Sequence, residues 1–323
     1  MRALITGGAG FIGLHLAKLL LKENYKVDLL DNFSIGILDS ELNQILQNSN
    51  IKLIEADLID NDSFKKVNNN YDFIFHFAAI LGVENVINMP YEVLDKNVRL
   101  TFNAINIAKN QKSLKCFIFS STSEIYAGTL ENNLLTIPTE EKSLIVLPSL
   151  EKPRTSYMLS KAYGEALCTQ SNIPFLIIRP NNIYGPRMGM AHVIPQLLKK
   201  AFTQDDDGYL EVYSLRHTRT FCYVDDAIKQ IFHLANTHKA INSVFNIGSQ
   251  KPEITIKELA LKIIKLLEKK LDIRGLPETE GSVIRRCPNM EKTLHTANYK
   301  NQTSIDEGLS LTYEWYLNNY FSS

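Results

Sequence analysis

The chain has 323 residues, with 35 Lys and Arg against 35 Asp and Glu and a hydrophobic fraction of 45%. This length suits about two packed units, or one large α/β body with a smaller attachment, and the composition excludes disordered, collagen-like and coiled-coil chains. A net charge of zero leaves no basic surface for a phosphate backbone, so we expect no nucleic-acid partner. A small anionic ligand is compatible with this balance, because local positive groups do not show in a net count.

The cysteine content predicts no metal site and no disulfide framework. No Cys-x-x-Cys pair or cluster of His occurs, and the isolated cysteines are Cys116, Cys168, Cys222 and Cys287. Reduced thiols favour a cytoplasmic protein. No apolar stretch reaches the roughly 18 residues of a membrane span, and the first residues lack the features of a signal peptide. We therefore expect a cytoplasmic protein without a membrane contact.

Short apolar segments alternate with segments of helical periodicity in the first half of the chain. The predicted elements are strand 3–6, helix 11–21, strands 26–30, 52–55 and 73–77, helix 91–108, strand 116–120, helix 156–170 and strand 175–179. Runs such as FIFHFA and LKCFIFS are apolar on both faces, which indicates a parallel sheet covered by helices. The alternation predicts βαβ units and a doubly wound, Rossmann-type α/β sheet.

The pattern changes beyond Pro180. Helices are predicted over 191–202, 225–235, 256–268 and 304–318, and short strand-like pieces over 210–213 and 243–247. This mixture predicts a smaller α+β unit packed on the first. We therefore divide the chain into one domain over 1–180 and a second over mainly 181–323, and the motifs described next imply that the first binds a cofactor and the second a substrate.

The segment GGAGFIG follows the first strand directly, and a helix begins at once. Glycine at these positions permits a tight turn and the close approach of a pyrophosphate, and the helix N-terminus then presents free N–H groups to the phosphates. This strand–turn–helix context is typical of a dinucleotide site. The candidate contacts are Gly7, Gly10, Phe11, Ile12 and Gly13.

The other candidate cofactor residues follow the next strands. Asp31 ends the second strand, where an acid binds the adenosine ribose hydroxyls and repels a 2′-phosphate, so NAD is favoured over NADP. Asp57 follows the third strand and could position adenine, with an ordinary turn residue as the alternative. The complete set of these candidates is Asp31, Asn32, Asp57, Leu58, Ala78 and Ala79.

Tyr157 and Lys161 lie four residues apart in a helical stretch, so their side chains share one face. A Tyr that acts as a base near neutrality needs its pKa lowered by roughly 3 units, about 4 kcal/mol. A neighbouring ammonium and an oxidised nicotinamide ring are the expected sources of this stabilisation. Tyr-x-x-x-Lys alone is common, but it becomes specific when the run SSTSEIY at 120–126 and the glycine motif accompany it.

These motifs together resemble the extended short-chain dehydrogenase/reductase family, in its NAD-dependent nucleotide-sugar epimerase/dehydratase branch, over nearly the whole chain. The shared segments are GGAGFIG, SSTSEIY, YMLSK, RPNNIYGPR, RTFCYVDDA and RRCPN. The resemblance implies that Tyr157 removes the proton from the C4 hydroxyl of a sugar while hydride passes to NAD. It also implies that Thr122 hydrogen-bonds the same oxygen, and that Lys161 binds the nicotinamide ribose and lowers the pKa of Tyr157.

Glu124 follows two residues after Thr122. Relatives that act beyond C4, the dehydratases and the uronate decarboxylases, carry a Glu here, and Arg154 in Pro-Arg-Thr-Ser-Tyr resembles the decarboxylases' Pro-Arg-Ser-x-Tyr. We expect Glu124 to reach the C5 side of the sugar as a base or a substrate ligand. A loop or helix-cap carboxylate is the alternative.

The substrate end is predicted from the segments after Arg179. The resemblance places Asn182 in the usual contact position for the sugar nucleotide, and the helix that opens at 191–193 can meet an anion. Arginines are candidates for the diphosphate or ribose, since guanidinium suits bidentate phosphate binding, although each could also be a surface residue. The candidates are Asn182, His192, Val193, Arg219, Arg285 and Arg286. His76, in an apolar strand, is interpreted as a core residue.

The net reaction depends on the fate of the 4-keto intermediate. Hydride return to the opposite face gives epimerisation, elimination across C5–C6 gives dehydration, loss of the C6 carboxylate gives decarboxylation, and release gives a net dehydrogenase. The Ile/Leu/Asn/Lys-rich chain resembles bacterial capsular polysaccharide enzymes, which places a GDP-heptose 4-dehydrogenase slightly first. UDP-glucuronate decarboxylase, UDP-hexose 4-epimerase and NDP-sugar 4,6-dehydratase are the alternatives, and a non-catalytic NAD-sensing regulator is the alternative of another class. By family analogy we expect a homodimer through the helices near 91–108 and 156–170.

Overall fold

The computed structural model describes residues 1–60, 63–278 and 283–321. A parallel β-sheet with helices on both faces comes first, and shorter strands and further helices follow along the chain. The elements are β1 (Arg2–Thr6), α1 (Phe11–Lys22), β2 (Lys26–Asp31), α2 (Ser40–Ile45), β3 (Ile51–Glu55), α3 (Ser63–Lys66), β4 (Phe73–His76), α4 (Val83–Asn88), α5 (Pro90–Lys109), β5 (Cys116–Ser120), α6 (Ala127–Glu131), α7 (Pro153–Gln170), β6 (Phe175–Pro180), β7 (Ile183–Tyr184), α8 (Val193–Thr203), β8 (Tyr209–Tyr213), β9 (Thr218–Thr220), β10 (Cys222–Tyr223), α9 (Val224–Ala235), β11 (Ser243–Ile247), β12 (Glu253–Thr255), α10 (Ile256–Leu266), β13 (Asp272–Leu276), β14 (Arg285–Arg286), α11 (Glu291–Ala297) and α12 (Ile305–Tyr316).

The central sheet of the described residues has seven strands in the order β3-β2-β1-β4-β5-β6-β11, and all neighbouring pairs are parallel. The chain builds outward from β1 to β3 and then, from β4, in the other direction. In such sheets the ligand site lies beyond the carboxyl ends of the strands where the direction reverses. Thr6 pairs with His76 at this point, so the loops after β1 and β4 lie side by side. The predicted doubly wound Rossmann fold is confirmed.

Two hydrophobic cores cover the two faces of the sheet. Successive residues of a strand point to opposite faces, so Ile5 of β1 packs in one core and Leu4 in the other. Leu14 of α1 and Ile228 of α9 belong to the first core, and Leu100 of α5 belongs to the second. Each fully buried Leu or Ile contributes about 1.5–3 kcal/mol of stabilisation. Burial on both faces explains why the strands have continuous apolar sequences.

Short strands beyond β6 form small sheets next to the helices of the substrate side. Within the described residues, β8 pairs with β13 in parallel, β9 lies between β12 and β14, and β7 pairs with β10. These pieces lie with α8 and α10 in the part of the chain after Pro180, and the division into two domains stays a prediction.

Strand β11 differs from the sequence prediction. The pattern at 243–247 placed it in the smaller unit, whereas Ser243 pairs with Leu176 and Ile247 with Pro180, at the edge of the central sheet. Its apolar sequence predicts a buried strand but not a hydrogen-bonding partner, which is decided by packing. The chain therefore crosses the predicted boundary near Pro180 and returns to the cofactor sheet.

Two helices of the first half expose large apolar side chains. Phe102 of α5 has an exposed fraction of 52%, and Tyr163 of α7 has one of 49%. The homodimer through these helices stays a prediction. Separately, none of the helices in the described part of the chain has the length and apolar character needed to cross a bilayer.

Candidate functional site

A cleft of about 560 Å³ lies over the carboxyl ends of β1, β4, β5 and β6. This is the edge at which doubly wound sheets bind ligands. Most residues predicted from the sequence line it: Gly7, Gly10, Phe11, Ile12, Gly13, Asp31, Ala78, Ala79, Thr122, Glu124, Tyr157, Asn182, His192, Val193 and Arg286. The structure thus brings the cofactor motif, the Tyr-x-x-x-Lys helix and the substrate segments to one cavity.

The segment GGAGFIG, which we call the glycine loop, comprises the turn after β1 and the first residues of α1. It has no room for a side chain at Gly7 or at Gly13. Gly7 has a φ of +70°, and a Cβ there would lie 2.8 Å from the backbone nitrogen of Ala78. A Cβ on Gly13 would lie 2.4 Å from the carbonyl oxygen of Gly7. Gly10 precedes α1 without a side-chain cap, so the first N–H groups of the helix can serve a ligand. This narrow loop and uncapped helix fit the pyrophosphate of a dinucleotide.

Asp31 ends β2 with its carboxylate already fixed by the backbone. Its Oδ2 accepts from the N–H of Ala9 and its Oδ1 from the N–H of Phe33, each at 2.9 Å. A Cβ on Gly36 would lie 3.0 Å from Asp31 Oδ1, so the loop after β2 also passes close to the carboxylate. The position suits the ribose hydroxyls that the sequence assigns to it.

The remaining cofactor candidates lie outside the main cleft. Asn32 and Asp57 line a separate open depression, where the side-chain amide of Asn32 donates to Asp57 Oδ2 at 2.9 Å. The side chain of Leu58 is buried in the second core, so only its backbone can serve a ligand. The sequence could not show this, because a leucine next to a turn looks the same whether its side chain packs in the core or contacts a ligand.

The chemical centre is formed by α7 and the end of β5. Pro153 occupies the first turn of α7, where a missing N–H costs nothing, and one turn later Tyr157 faces Thr122 and hydrogen-bonds it. Thr122 Oγ1 also accepts from the N–H of Glu124 at 3.1 Å. Lys161 Nζ donates to the carbonyl of Ser120 at 2.8 Å and lies 5.8 Å from the centre of the Tyr157 ring.

The acidities of this pair differ from the sequence prediction. Burial and the negative charge of Glu124 raise the pKa of Tyr157, and the hydrogen bond from Thr122 opposes them. Burial lowers the pKa of Lys161 to about 8. The expected lowering of the Tyr157 pKa by Lys161 is therefore not met by the protein groups alone, because the buried ammonium is directed to a carbonyl and its charge is costly to maintain.

Glu124 lies among three guanidinium groups. Its Oε1 is 2.7 Å from Arg286 Nη1, and the positive charges of Arg154 and Arg219 also act on it. The charge of Arg286 is the main cause that lowers the pKa of Glu124, against an opposing contribution from burial. Glu124 is therefore ionised at neutral pH, and Arg286 is the one of these three arginines that lines the cleft.

The three arginines predicted for the substrate have different positions. Arg286 lines the cleft, whereas its neighbour Arg285 makes a bidentate pair with Glu253 at 2.7 and 2.9 Å and does not line it. Successive strand residues point to opposite sides, which explains the difference. Arg219 donates to backbone carbonyls, including that of Val283 at 2.6 Å, and burial with the charge of Arg286 lowers its pKa to about 10.

The start of α8 closes the substrate side of the cleft. His192 precedes Val193 at the helix N-terminus and gives no side-chain cap, and burial lowers the pKa of its imidazole. The side-chain amide of Asn182 donates to the carbonyl of Thr220 at 2.9 Å. Arg187 also lines the cleft but is not among the residues predicted from the sequence, although it ends the quoted segment RPNNIYGPR.

Comparisons with known proteins agree with this geometry. The family model described as NAD dependent epimerase/dehydratase family matches residues 3–248. The chain belongs to this family. It is therefore an enzyme of the NAD-dependent nucleotide-sugar class, which confirms the predicted family, cofactor and general activity.

Relatives in this family cover nearly the whole chain. A UDP-N-acetyl-alpha-D-glucosaminuronate decarboxylase from Bacillus cytotoxicus is 34% identical over 328 residues, 98% of this chain and 97% of the relative. A human dTDP-D-glucose 4,6-dehydratase is 27% identical, over 99% of this chain and 91% of the relative. The crystal structure of a UDP-glucuronic acid 4-epimerase from Bacillus cereus with UDP-glucuronic acid and NAD has a TM-score of 0.86 at 27% identity, covering 99% of this chain and 100% of that one.

These names bear on the predicted reaction. The three relatives act, by their names, on UDP- or dTDP-linked sugars, so the GDP-heptose 4-dehydrogenase placed first from the sequence finds no support among them. The alternatives placed behind it, decarboxylation, epimerisation and dehydration, are the activities that these names contain.

Proposed function

We propose that the protein is a decarboxylase of a UDP-linked uronic acid. The observation that carries this proposal is the position of Glu124 and Arg286, 2.7 Å apart in the cleft, with the charges of Arg154 and Arg219 beside them. A substrate carboxylate is a complementary group for the guanidinium of Arg286, which lines the cleft. The decarboxylase from Bacillus cytotoxicus, which matches 98% of the chain, supports the same choice.

The residues of the cleft can perform the proton chemistry of this reaction. The glycine loop and Asp31 would hold NAD, which would supply a reversible hydride acceptor for C4 of the sugar. Tyr157, held by Thr122, is the group positioned to take the proton of the C4 hydroxyl. The C4 ketone is β to the C6 carboxylate, so the electron pair of the C5–C6 bond can move toward the C4 oxygen as carbon dioxide departs, and a proton then adds at C5.

Arg286 and Glu124 have different roles in this mechanism. Arg286 can bind the substrate carboxylate, which then competes with Glu124 for the same guanidinium. Glu124 is ionised because its pKa is lowered, so it acts as a negative charge or hydrogen-bond acceptor and not as a proton donor in this state. Its charge repels the neighbouring carboxylate, and the repulsion disappears when neutral carbon dioxide forms.

A second candidate is a 4-epimerase of the same uronate class. The structure of the Bacillus cereus UDP-glucuronic acid 4-epimerase superposes with a TM-score of 0.86, and a carboxylate held at Arg286 would serve that reaction too. The two reactions differ in the product, because epimerisation leaves the mass unchanged and decarboxylation removes carbon dioxide.

The test is a substrate and variant comparison. The full chain with NAD is incubated with UDP-glucuronate and with UDP-N-acetylglucosaminuronate, and UDP-glucose and UDP-N-acetylglucosamine serve as substrates without the carboxylate. We expect carbon dioxide release from an acidic substrate, measured by mass spectrometry of the product. An epimer has the mass of its substrate, so a product of unchanged mass that separates from the substrate on chromatography identifies the second candidate, and equal turnover of the neutral sugars contradicts both.

Neighbouring arginines provide the matched variants. Arg286→Met removes the guanidinium of the cleft, and we expect kcat/KM for the acidic substrate to fall at least about 30-fold, the effect of losing a hydrogen bond between charged groups that contributes roughly 2 kcal/mol. Arg285→Met removes the guanidinium that pairs with Glu253 outside the cleft, so kcat/KM should remain near wild type. Equal losses in both variants would show that Arg286 does not bind the carboxylate.

A further inference from the structure

Arg187 joins the glycine loop to the loop after β2. Its Nη1 donates to the carbonyls of Ala9 at 2.6 Å and Gly10 at 3.4 Å, both in the glycine loop. Its Nη2 donates to the carbonyl of Ile37 at 2.6 Å, and its Nε donates to Asp39 Oδ2 at 2.5 Å, both after β2. The side chain has an exposed fraction of 3%.

The backbone of Arg187 belongs to the substrate side. It lies between β7 and α8, so the same chain segment leads to the helix N-terminus at Val193. His15 of α1 hydrogen-bonds the carbonyl of Pro186 at 3.1 Å, and the hydroxyl of Tyr316 in α12 donates to the carbonyl of Met188. One residue therefore connects the cofactor loops by its side chain and the substrate segment by its main chain.

Two features show that this connection is tightly held. Arg187 has a φ of +67°, a left-handed conformation that a non-glycine residue keeps only when its surroundings enforce it. Partial burial acts to raise the pKa of Asp39, but hydrogen bonds from Arg187 and from the N–H of Leu42 hold that pKa below its ordinary value. Asp39 is therefore an ionised partner, and any shift of the glycine loop would separate a buried guanidinium from its acceptors.

We propose that Arg187 is a positioning residue that couples the two ends of the cleft, so that NAD and the nucleoside diphosphate of the substrate each strengthen the binding of the other. NAD held in the glycine loop would further restrain the carbonyls of Ala9 and Gly10, and the hydrogen bonds of Arg187 would extend this restraint to the segment that leads to α8. A diphosphate then meets an ordered helix N-terminus, and by linkage the effect is reciprocal. The proposal depends on family membership alone and is independent of whether the substrate is decarboxylated.

The test measures how much a nucleoside diphosphate changes the affinity for NAD, and not the affinity for NAD alone. The dissociation constant of NAD is determined by titration of the full chain, alone and with a saturating nucleoside diphosphate, after UDP, dTDP and GDP have been compared and the tightest chosen. We expect the diphosphate to tighten NAD binding about 5-fold or more in the wild type, the lower range of ordinary coupling between sites. In Arg187→Met this factor should fall to roughly 1 to 2, since the link is removed.

A merely structural role would give a different result. It would lower the melting temperature and weaken both ligands, but the ratio between NAD affinities with and without diphosphate would stay at the wild-type value. Arg274→Met is the matched control, because Arg274 is 62% exposed and lies 3.8 Å from Glu211 outside the cleft. It should retain the full coupling factor.

A milder variant covers the case in which Arg187→Met does not fold. Asp39→Asn keeps the carbonyl contacts of Arg187 but removes the countercharge, so the coupling factor should be intermediate. The proposal is overturned if the wild type shows no coupling, if folded Arg187→Met keeps the wild-type factor, or if Asp39→Asn is the only folded variant and keeps it.

Discussion

The two ends of the cleft are built by different means. At the cofactor end, one contiguous segment of seven residues forms the turn after β1 and the first residues of α1, and Gly7 and Gly13 leave no space for a Cβ. At the substrate end, Glu124 and Arg286 come from segments that are more than 150 residues apart in the chain and meet at 2.7 Å. The first end depends on the absence of side chains, and the second depends on charged side chains.

This difference predicts how each end responds to substitution. A change in the glycine loop should affect the cofactor and the stability of the fold together, because the loop packs against β2 and β4. A change at Glu124 or Arg286 should alter which substrates are turned over, and NAD should remain bound. Tyr157 lies between the two ends and should affect the chemical step alone.

The largest effect is expected at Tyr157. Replacement by Phe removes the hydroxyl that hydrogen-bonds Thr122, so kcat should fall by about 10³-fold, within the range of a lost general base. NAD should remain bound, which absorbance of the purified protein and nucleotide analysis would show. Tyr163→Phe, on the same helix and 49% exposed, is the control and should keep full activity. Substantial turnover by Tyr157→Phe would contradict the assigned base.

A smaller effect is expected from replacing one glycine at each end of the cleft by alanine. In Gly13→Ala the new Cβ would lie 2.4 Å from the carbonyl oxygen of Gly7, so we expect weaker NAD binding and a stability loss of about 1–3 kcal/mol, measured by NAD titration and thermal unfolding. In Gly189→Ala, at the substrate end, the nearest atoms belong to His192 at 3.7 Å, and both properties should stay near wild type. Normal NAD binding by Gly13→Ala would contradict the conclusion that the cofactor end depends on the absence of a side chain at this position.

The smallest effect concerns acid stability. Burial, with the charge of Lys161, lowers the pKa of His76 to about 3 from an unfolded value of about 6.5, so the neutral imidazole stabilises the fold above pH 6.5. This contribution is lost as the pH falls from 6.5 toward 3, at about 1.4 kcal/mol per pH unit. Glu124, whose pKa is also lowered, loses its contribution only below the unfolded Glu value of about 4.3.

The pH window between 6.5 and 5 therefore reports on the cofactor sheet. Chemical unfolding of His76→Asn across this window should show a pH slope that is shallower by about 1.4 kcal/mol per unit. His238→Gln, an exposed position, should keep the wild-type slope. An unchanged slope in His76→Asn would show that this imidazole is protonated in the folded protein.

Local motifs were sufficient for part of the site. The glycine loop, Asp31 and the pair Tyr157 and Lys161 are each set by residues close in sequence, and the structure places them at or next to the cleft. The partner of β11 was not predictable, because an apolar strand specifies burial without specifying a neighbour. The pKa of Tyr157 was not predictable either, since it depends on burial and on Glu124.

The arginines show the limit of the sequence most directly. Arg285 and Arg286 are equivalent as residue types, and only the orientation of β14 sends one to Glu253 and the other to Glu124. No feature of the sequence around Arg187 predicts its contacts to two loops that lie about 150 and 178 residues away in the chain. The Rossmann fold and the NAD cofactor were predictable from the sequence, and so was the placement of Tyr157 and Lys161 on one helix face, because periodicity, glycine and helical spacing act over a few residues. The pairing of Glu124 with Arg286 and the contacts of Arg187 to two loops emerged only in the folded protein, because charge pairs and buried hydrogen bonds depend on distances that sequence separation does not contain.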